Sequence, residues 1–256
     1  MILIIEQKIS QKKKLNKNKI FVKKGLMINE GNKFYKNYNF IRKNRFPYVV
    51  GKIACSSNYF ILNNKTFITN EHSRKVSHIL RYKNQGILTS YKTVNSDNPM
   101  LNCRLKGLEK FSPKKLIIDK DLKIKINSRI IKNSKYSETF IFHNSQNLKK
   151  INKLKLFGLR LIKFQVMSNG YFDLKELFAK IYKLEIHNIL VECGSNLTNE
   201  ILKSKLFNEF YLFKSNNKLI NKRKISILKI KKNLKIFNNK IPVNTYLEKD
   251  NLIHYY

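Results

Sequence analysis

The sequence predicts an α/β protein with a mostly parallel central sheet, helices on its flanks and antiparallel strands at its C-terminal end. Three observations carry this prediction. Short apolar runs bounded by polar turns recur along the chain, as in "FPYVVGKIACS", "KKLIID", "ETFIFHN" and "HNILVE". Segments with apolar residues at helical spacing separate several of them, and strands alternating with helices favour parallel pairing through crossover connections. The tail from residue 220 to 256 instead alternates apolar with polar side chains, the pattern of terminal antiparallel strands.

Taken in order, the first regular element is a strand at Tyr48–Cys55, followed by a polar loop through Asn63 and Asn64 to Phe67. A helix is expected next. Thr69 or Asn70 can cap it, Glu71 suits the positive end of the helix dipole, and Val76, Ile79 and Leu80 form an apolar stripe. Asn84 to Gly86 supplies a stop, and Ile87 and Leu88 open a buried strand. The most regular unit is "FDLKELFAKIYKLEIHNILVECGSNLTNEILKSKLFNEFYLF". Asp173 is placed to cap a helix whose apolar face is Leu174, Leu177, Phe178, Ile181 and Leu184. A strand at Asn188–Val191, a turn at Gly194, a helix over 196–203 and a strand over 209–213 follow. The first 19 residues carry a Lys run that resists packing, with "MILIIE" as a candidate edge strand.

With 256 residues and 42% apolar side chains, the chain can bury a substantial core. It contains no apolar run long enough to span a bilayer, and "MILIIE" is followed by Lys-rich sequence without a small-residue cleavage site, so a cytoplasmic protein with no membrane partner is expected. The three cysteines are far apart and show no metal-ligand spacing, which predicts reduced core thiols and no zinc. The net charge of +37 suggests attraction to polyanions. Its lysines, however, are spread through every segment with no nucleic-acid-binding motif. Compositional drift toward Lys, Ile and Asn accounts for that spread, and no nucleic-acid partner is expected.

The residues that can carry chemistry are few. In "ILVECGSNLTNEI" a strand runs through Gly194 into a helix N-terminus, whose free N–H groups and dipole favour an anion, although similar turns also occur without a ligand. Glu192 ends an apolar strand, where a carboxylate is costly unless paired with a cation such as one of the many lysines. Arg81 and Arg104 stand out in a chain that uses Lys almost everywhere, because a planar fork suits a phosphate or carboxylate. Asp97 lies in "SDNP", where it can shape an Asx turn or hold a ligand.

Together these residues form a pattern. "FPYVVGKIACS", "FITNEHSRKVSHILR", "ILTSYKTVNSDNPMLNCR", "LIIDKDLKI" and "ILVECGSNL" resemble, in order, the reductase domain that forms the C-terminal half of the bifunctional riboflavin biosynthesis deaminase/reductase. The resemblance covers about residues 45 to 215. It implies a dihydrofolate-reductase-like fold and an oxidoreductase in which NADPH reduces 5-amino-6-(5-phosphoribosylamino)uracil at ribose C1′. It also implies cofactor contacts at Ala54, Phe67, Thr93 and Asp97, with Gly194, Ser195, Asn196, Leu197 and Thr198 as the pyrophosphate turn and helix. Lys65, Arg81, Leu101, Arg104 and Glu192 match substrate-contacting positions, and activity is expected to depend on Asp97 and Glu192. A homodimer and a separate deaminase are the implied partners.

The pattern also departs from the family. Neither the H-x-E nor the P-C-x-x-C element of a zinc deaminase occurs. Residues 1–45 read as a basic segment left from the linker to such a domain, and 46–256 as the reductase domain. In "ACSSNYF" Asn58 and Tyr59 stand where the family has an acid and a glycine, so that either a tyrosine takes a glycine's backbone conformation or the loop follows another path. Lys65 and Lys120 replace small hydroxyl residues, and "KSNNKLIN" lacks the family's usual proline. A non-catalytic relative that binds a ligand or partner is the alternative reading.

Overall fold

The computed structural model describes residues 13–21, 23, 25–62, 67–220 and 224–256, so the expectations for "MILIIE", Asn63, Asn64 and Lys65 lie outside the described residues. Contacts divide the chain between Asn39 and Phe40, six residues before the division expected from sequence. In the first unit, helix α1 (Ile28–Phe34) buries no residue. Helix α2 (Lys36–Asn44) spans the division, and in the second unit Phe40 packs edge-on against Tyr48 with ring centroids 5.5 Å apart.

The second unit is built on β1 (Tyr48–Cys55), β2 (Phe60–Leu62), α3 (Glu71–Tyr82), β3 (Gly86–Ser90), α4 (Tyr91–Asp97), β4 (Lys114–Ile118) and α5 (Arg129–Lys132). There follow β5 (Thr139–His143), α6 (Leu148–Leu156), β6 (Arg160–Lys163), α7 (Leu174–Tyr182), β7 (Asn188–Val191), α8 (Ser195–Lys203) and β8 (Glu209–Lys214). The chain ends with β9 (Lys224–Ser226), α9 (Leu228–Asn233), β10 (Lys240–Pro242) and β11 (Asn251–Tyr255). Nine strands form one sheet in the order β10-β11-β8-β1-β7-β3-β4-β5-β6, and β2 pairs with β9 in a separate antiparallel ribbon. From β8 to β6 every pairing is parallel, whereas β11 and β10 add antiparallel edges. This is the mostly parallel α/β sheet with antiparallel C-terminal strands that the sequence predicts.

Alternation along each strand divides the core between the two faces of the sheet. Val49, Leu88, Leu116, Phe140, Ile189 and Phe210 pack in the layer that includes residues of α7, α8 and α9. Val50, Ile87, Ile117, Ile141, Leu190 and Phe213 pack in the layer that includes residues of α3 to α6. Both faces are therefore covered, as a parallel sheet requires. Cys55, Cys103 and Cys193 are free, buried thiols. Among the described residues no helix is long and apolar enough to cross a membrane.

Three local expectations change. Ile79, expected in the stripe of α3, is exposed, while Ser73, Ser77 and His78 take buried positions. Leu80 and Val76 do pack in the core as expected, while Ser77 and His78 line a cavity and Ser73 meets the C-terminal turn. Asp97, expected in a turn after a strand, is the last residue of α4, and Asn98 closes the helix at φ 46°. In the alternating tail, Leu228–Asn233 forms a helix, because Ile227, Ile230 and Leu234 recur at helical spacing and bury one face.

The altered loop after β1 keeps the glycine-like backbone, with Tyr59 at φ 60°. Asn58 holds the loop to the chain beyond β8. Its Nδ2 donates to the Leu219 carbonyl, and its Oδ1 accepts from the Leu219 N–H, each at 3.1 Å. Ser56 Oγ donates to the same Oδ1 at 2.7 Å. A carboxylate cannot donate, so Asn58→Asp is expected to lower stability by about 1–3 kcal/mol, measured by urea denaturation. Gly51 is equally constrained, since an added Cβ would lie 2.2 Å from Phe210 Cδ2 and 2.8 Å from Phe207 Cε1. Gly51→Ala is expected to cost about 1–3 kcal/mol through overpacking, read in the same assay.

Candidate active site

Strand β7 enters the sheet between β1 and β3, so the chain leaves the carboxyl ends of these strands in diverging directions. Crevices open at such points in parallel sheets. A cavity of about 1620 Å³ lies here, lined by residues that follow β1, β3, β4 and β7 and by one face of α3. Its volume exceeds the roughly 300–1,000 Å³ of an ordinary single-ligand pocket.

Lining the cavity directly after β7 is Glu192. Arg81, from the last turn of α3, meets it with a two-pronged fork: Nε donates to Oε1 at 2.8 Å and Nη2 to Oε2 at 2.9 Å. Lys52 Nζ, from β1, lies 3.8 Å from Oε2. Burial alone would raise the carboxyl pKa, but Arg81 and then Lys52 hold it down to about 2. Burial also lowers the Lys52 pKa, against the pull of Glu192. The carboxylate expected to need a cation thus takes an arginine fork and a lysine together.

Half of the chain's arginines, Arg74, Arg81, Arg104 and Arg129, line the cavity. Arg81 alone among them meets a carboxylate within the described residues. The Arg74 guanidinium lies 4.4 Å from the Phe67 ring centroid and donates to the Thr69 carbonyl at 2.8 Å. Burial, then repulsion from Arg81, Arg129 and Arg74, lowers the Arg104 pKa. An anion would relieve that crowding.

Across the cavity α8 begins at Gly194 with no side-chain cap. The Gly194 N–H donates to Thr93 Oγ1 at 3.2 Å, which joins this turn to α4, itself capped by Ser90. Among the described residues no protein group accepts from the N–H groups of Ser195, Asn196 and Leu197. An uncapped helix start with free donors is suited to a phosphate group. Asp97 is half-buried; burial raises its pKa and a 2.6 Å hydrogen bond from Ser96 Oγ opposes the rise.

The cavity brings together Ala54, Phe67, Thr93, Asp97 and the run Gly194, Ser195, Asn196 and Leu197, with Arg81, Leu101, Arg104 and Glu192. Leu101 lines it from a left-handed backbone, φ 51°. Thr198 is turned inward, 1% exposed, with Oγ1 3.2 Å from Cys193 Sγ. Lys65 lies outside the described residues. Sequence reasoning missed Lys52, Arg74, His78 and Arg129. A lone lysine in the apolar run "YVVGKIAC" pointed to the first, and "RKVSHILR" places Arg74, His78 and Arg81 on one helical face at intervals of four and three. Lys120, the other departure, lines the cavity and donates to the Gly170 carbonyl at 3.0 Å.

Fold and cavity together define an α/β protein with room and donors for an extended anionic ligand at the carboxyl ends of its strands. Residues 61–215 match the RibD C-terminal domain model, and the chain belongs to that family. The riboflavin biosynthesis protein RibD of Aquifex aeolicus is 31% identical over 64% of this chain and 42% of its own length. The 5-amino-6-(5-phosphoribosylamino)uracil reductase of Buchnera aphidicola subsp. Acyrthosiphon pisum is 27% identical over 57% of this chain and 73% of its own. The structure of Acinetobacter baumannii RibD superposes with a TM-score of 0.73 at 18% identity, covering 94% of this chain and 66% of that one. The chain spans about half the length of the curated RibD relatives it matches.

His78 supplies a pH test of this geometry. Its Nδ1 lies 3.1 Å from the Asn102 carbonyl and 3.3 Å from the Arg104 amide nitrogen. Burial, then Arg81 and Arg104, lowers its pKa to about 4. Between the ordinary value near 6.5 and about 4 the unfolded chain binds a proton at this residue that the folded chain refuses, so its contribution to stability is lost on acidification. The unfolding free energy is expected to fall by up to about 3 kcal/mol more in the wild type than in His78→Asn over that window, followed by denaturation at stepped pH.

Proposed function

We propose that this chain is a reductase of riboflavin biosynthesis that uses NADPH to reduce the ribosyl group of 5-amino-6-(5-phosphoribosylamino)uracil to an open ribityl chain. The observation that carries this reading is that one cavity holds two separate anion stations, the uncapped start of α8 and the guanidiniums of Arg74, Arg104 and Arg129, with the Lys52–Glu192–Arg81 cluster also in its wall. A dinucleotide pyrophosphate suits the first station and a sugar phosphate the second. Ser195, Asn196 and Leu197 hold the pyrophosphate through backbone N–H groups, beside Thr93, Ala54 and Phe67. Asp97 accepts from a hydroxyl of the cofactor ribose.

A bound reduced nicotinamide supplies the hydride. It is received at ribose C1′ as the bond from C1′ to the ring oxygen breaks, and that oxygen takes up a proton. Lys52 provides the proton, because burial weakens its hold on it while Glu192 keeps the ammonium form populated. Arg81 holds Glu192 in place, and the remaining guanidiniums fix the 5-phosphate so that C1′ stays oriented. A deaminase supplies the substrate, and the reading extends to a cytoplasmic homodimer.

The test is NADPH oxidation by the purified chain with the deaminated ribosylaminouracil phosphate as substrate. Turnover is expected, with Asp97→Ala and Glu192→Gln each lowering kcat/KM by roughly a hundredfold. Arg104→Gln should raise KM by about ten- to a hundredfold, the worth of a charge-assisted phosphate contact. Absence of turnover in a folded protein that still binds NADPH would shift the conclusion to a ligand-binding relative that has lost the reaction.

A further inference from the structure

The turn that precedes β11 closes on the first turn of α3. Asp250 is 9% exposed, and its Oδ2 accepts from the Asn70 N–H at 2.8 Å and from Ser73 Oγ at 2.7 Å. Asn70 caps the helix by accepting from the Ser73 N–H at 2.9 Å, while its Nδ2 donates to the Leu247 carbonyl at 2.7 Å. The Asp250 N–H donates to the same Leu247 carbonyl at 3.0 Å, which closes the turn on itself. At the rim His72 Nε2 lies 3.0 Å from Glu248 Oε1, and the His72 and Tyr246 rings meet edge to face. None of Tyr246, Leu247, Glu248 and Asp250 lines the cavity. The helix they hold does, through Arg74, Ser77, His78 and Arg81.

We propose that Asp250 is a positioning residue for the cavity: by gripping Asn70 and Ser73 it sets the axial position and rotation of α3, and so where the Arg74 and Arg81 guanidiniums stand. A carboxylate fits the task, since it accepts from both donors and lies at the positive end of the helix. The opposite wall is held differently, by the hydrogen bond from Gly194 to Thr93. The two walls therefore respond separately to a change at Asp250. This inference rests on reading the α3 side as the sugar-phosphate station and the α8 side as the dinucleotide station.

The experiment compares the 256-residue chain with its Asp250→Ala, Asp250→Asn and Ser73→Ala variants below the onset of melting. Binding of ribose 5-phosphate is measured by calorimetry, NADPH binding by fluorescence and the His78 titration by NMR. Asp250→Ala is expected to weaken ribose 5-phosphate roughly ten- to a hundredfold, the effect of a small misplacement, and to leave NADPH within about twofold. Its His78 pKa should move up toward the ordinary value as α3 shifts. Asp250→Asn, whose amide oxygen still accepts, restores most of each property, and Ser73→Ala falls between. An unmoved His78 titration in folded Asp250→Ala and Ser73→Ala, or an equal loss of both ligands, overturns the proposal. A wild type that binds neither ligand sinks the functional reading instead, and the ligand-free titration still decides whether Asp250 positions α3.

Discussion

A carboxylate buried at the end of a central strand must be answered by charge, and the ion pair between Arg81 and Glu192 is that answer. It joins the last turn of α3 to the carboxyl end of β7, with Lys52 of β1 on the other side of the carboxylate. Desolvation opposes such a cluster, and only a two-pronged fork with a second cation makes it tenable. The consequence is geometric as well as electrostatic. One carboxylate holds a helix and two neighbouring strands at the point where the sheet opens, and the cavity takes its shape from that junction.

The charge of the protein acquires meaning at the same place. A net +37 spread over the surface distinguishes no ligand, because ammonium groups in water are screened and interchangeable. Guanidiniums crowded into a cavity are different. Arg104 stands near Arg74, Arg81 and Arg129, and of the four only Arg81 is balanced by a carboxylate among the described residues. Repulsion among them is a standing cost in the ligand-free state, and an anion with several oxygens removes it.

The loop after β1 shows how departures from the family pattern are absorbed. Tyr59 keeps the left-handed backbone that a glycine would take more easily, and its ring lies under Lys214 and Lys231. Asn58 uses both ends of its amide on Leu219, which an acid could not do. These contacts hold the loop in place, and β2 and β9 pair beside the cavity, with Ile61 and Ile225 in its wall.

Much of this was legible in the sequence. The strands at Tyr48–Cys55 and Asn188–Val191, a cap at Thr69 or Asn70, which is Asn70, the cap at Asp173 and the mostly parallel pairing follow from periodicity, capping chemistry and the alternation of strands with helices. The resemblance named residues that one cavity does bring together, Lys65 and Thr198 apart. What the sequence left undecided depends on neighbours distant in the chain. Ser73 is buried because Asp250, 177 residues later in the chain, closes on the helix start. The tail's alternation points to strands, yet Leu228–Asn233 is a helix because Ile227, Ile230 and Leu234 enter one core layer at helical spacing. By itself the sequence determined most elements of the central sheet, their class and the identity of the chemical groups, since these follow from backbone preference and side-chain type. Only the tertiary structure decided that Arg81 answers Glu192, that Arg74 and Arg129 stand near Arg104, and that Asp250 grips α3, because pairing between charges far apart in sequence is settled by which surfaces the packed sheet and helices bring within a few ångströms.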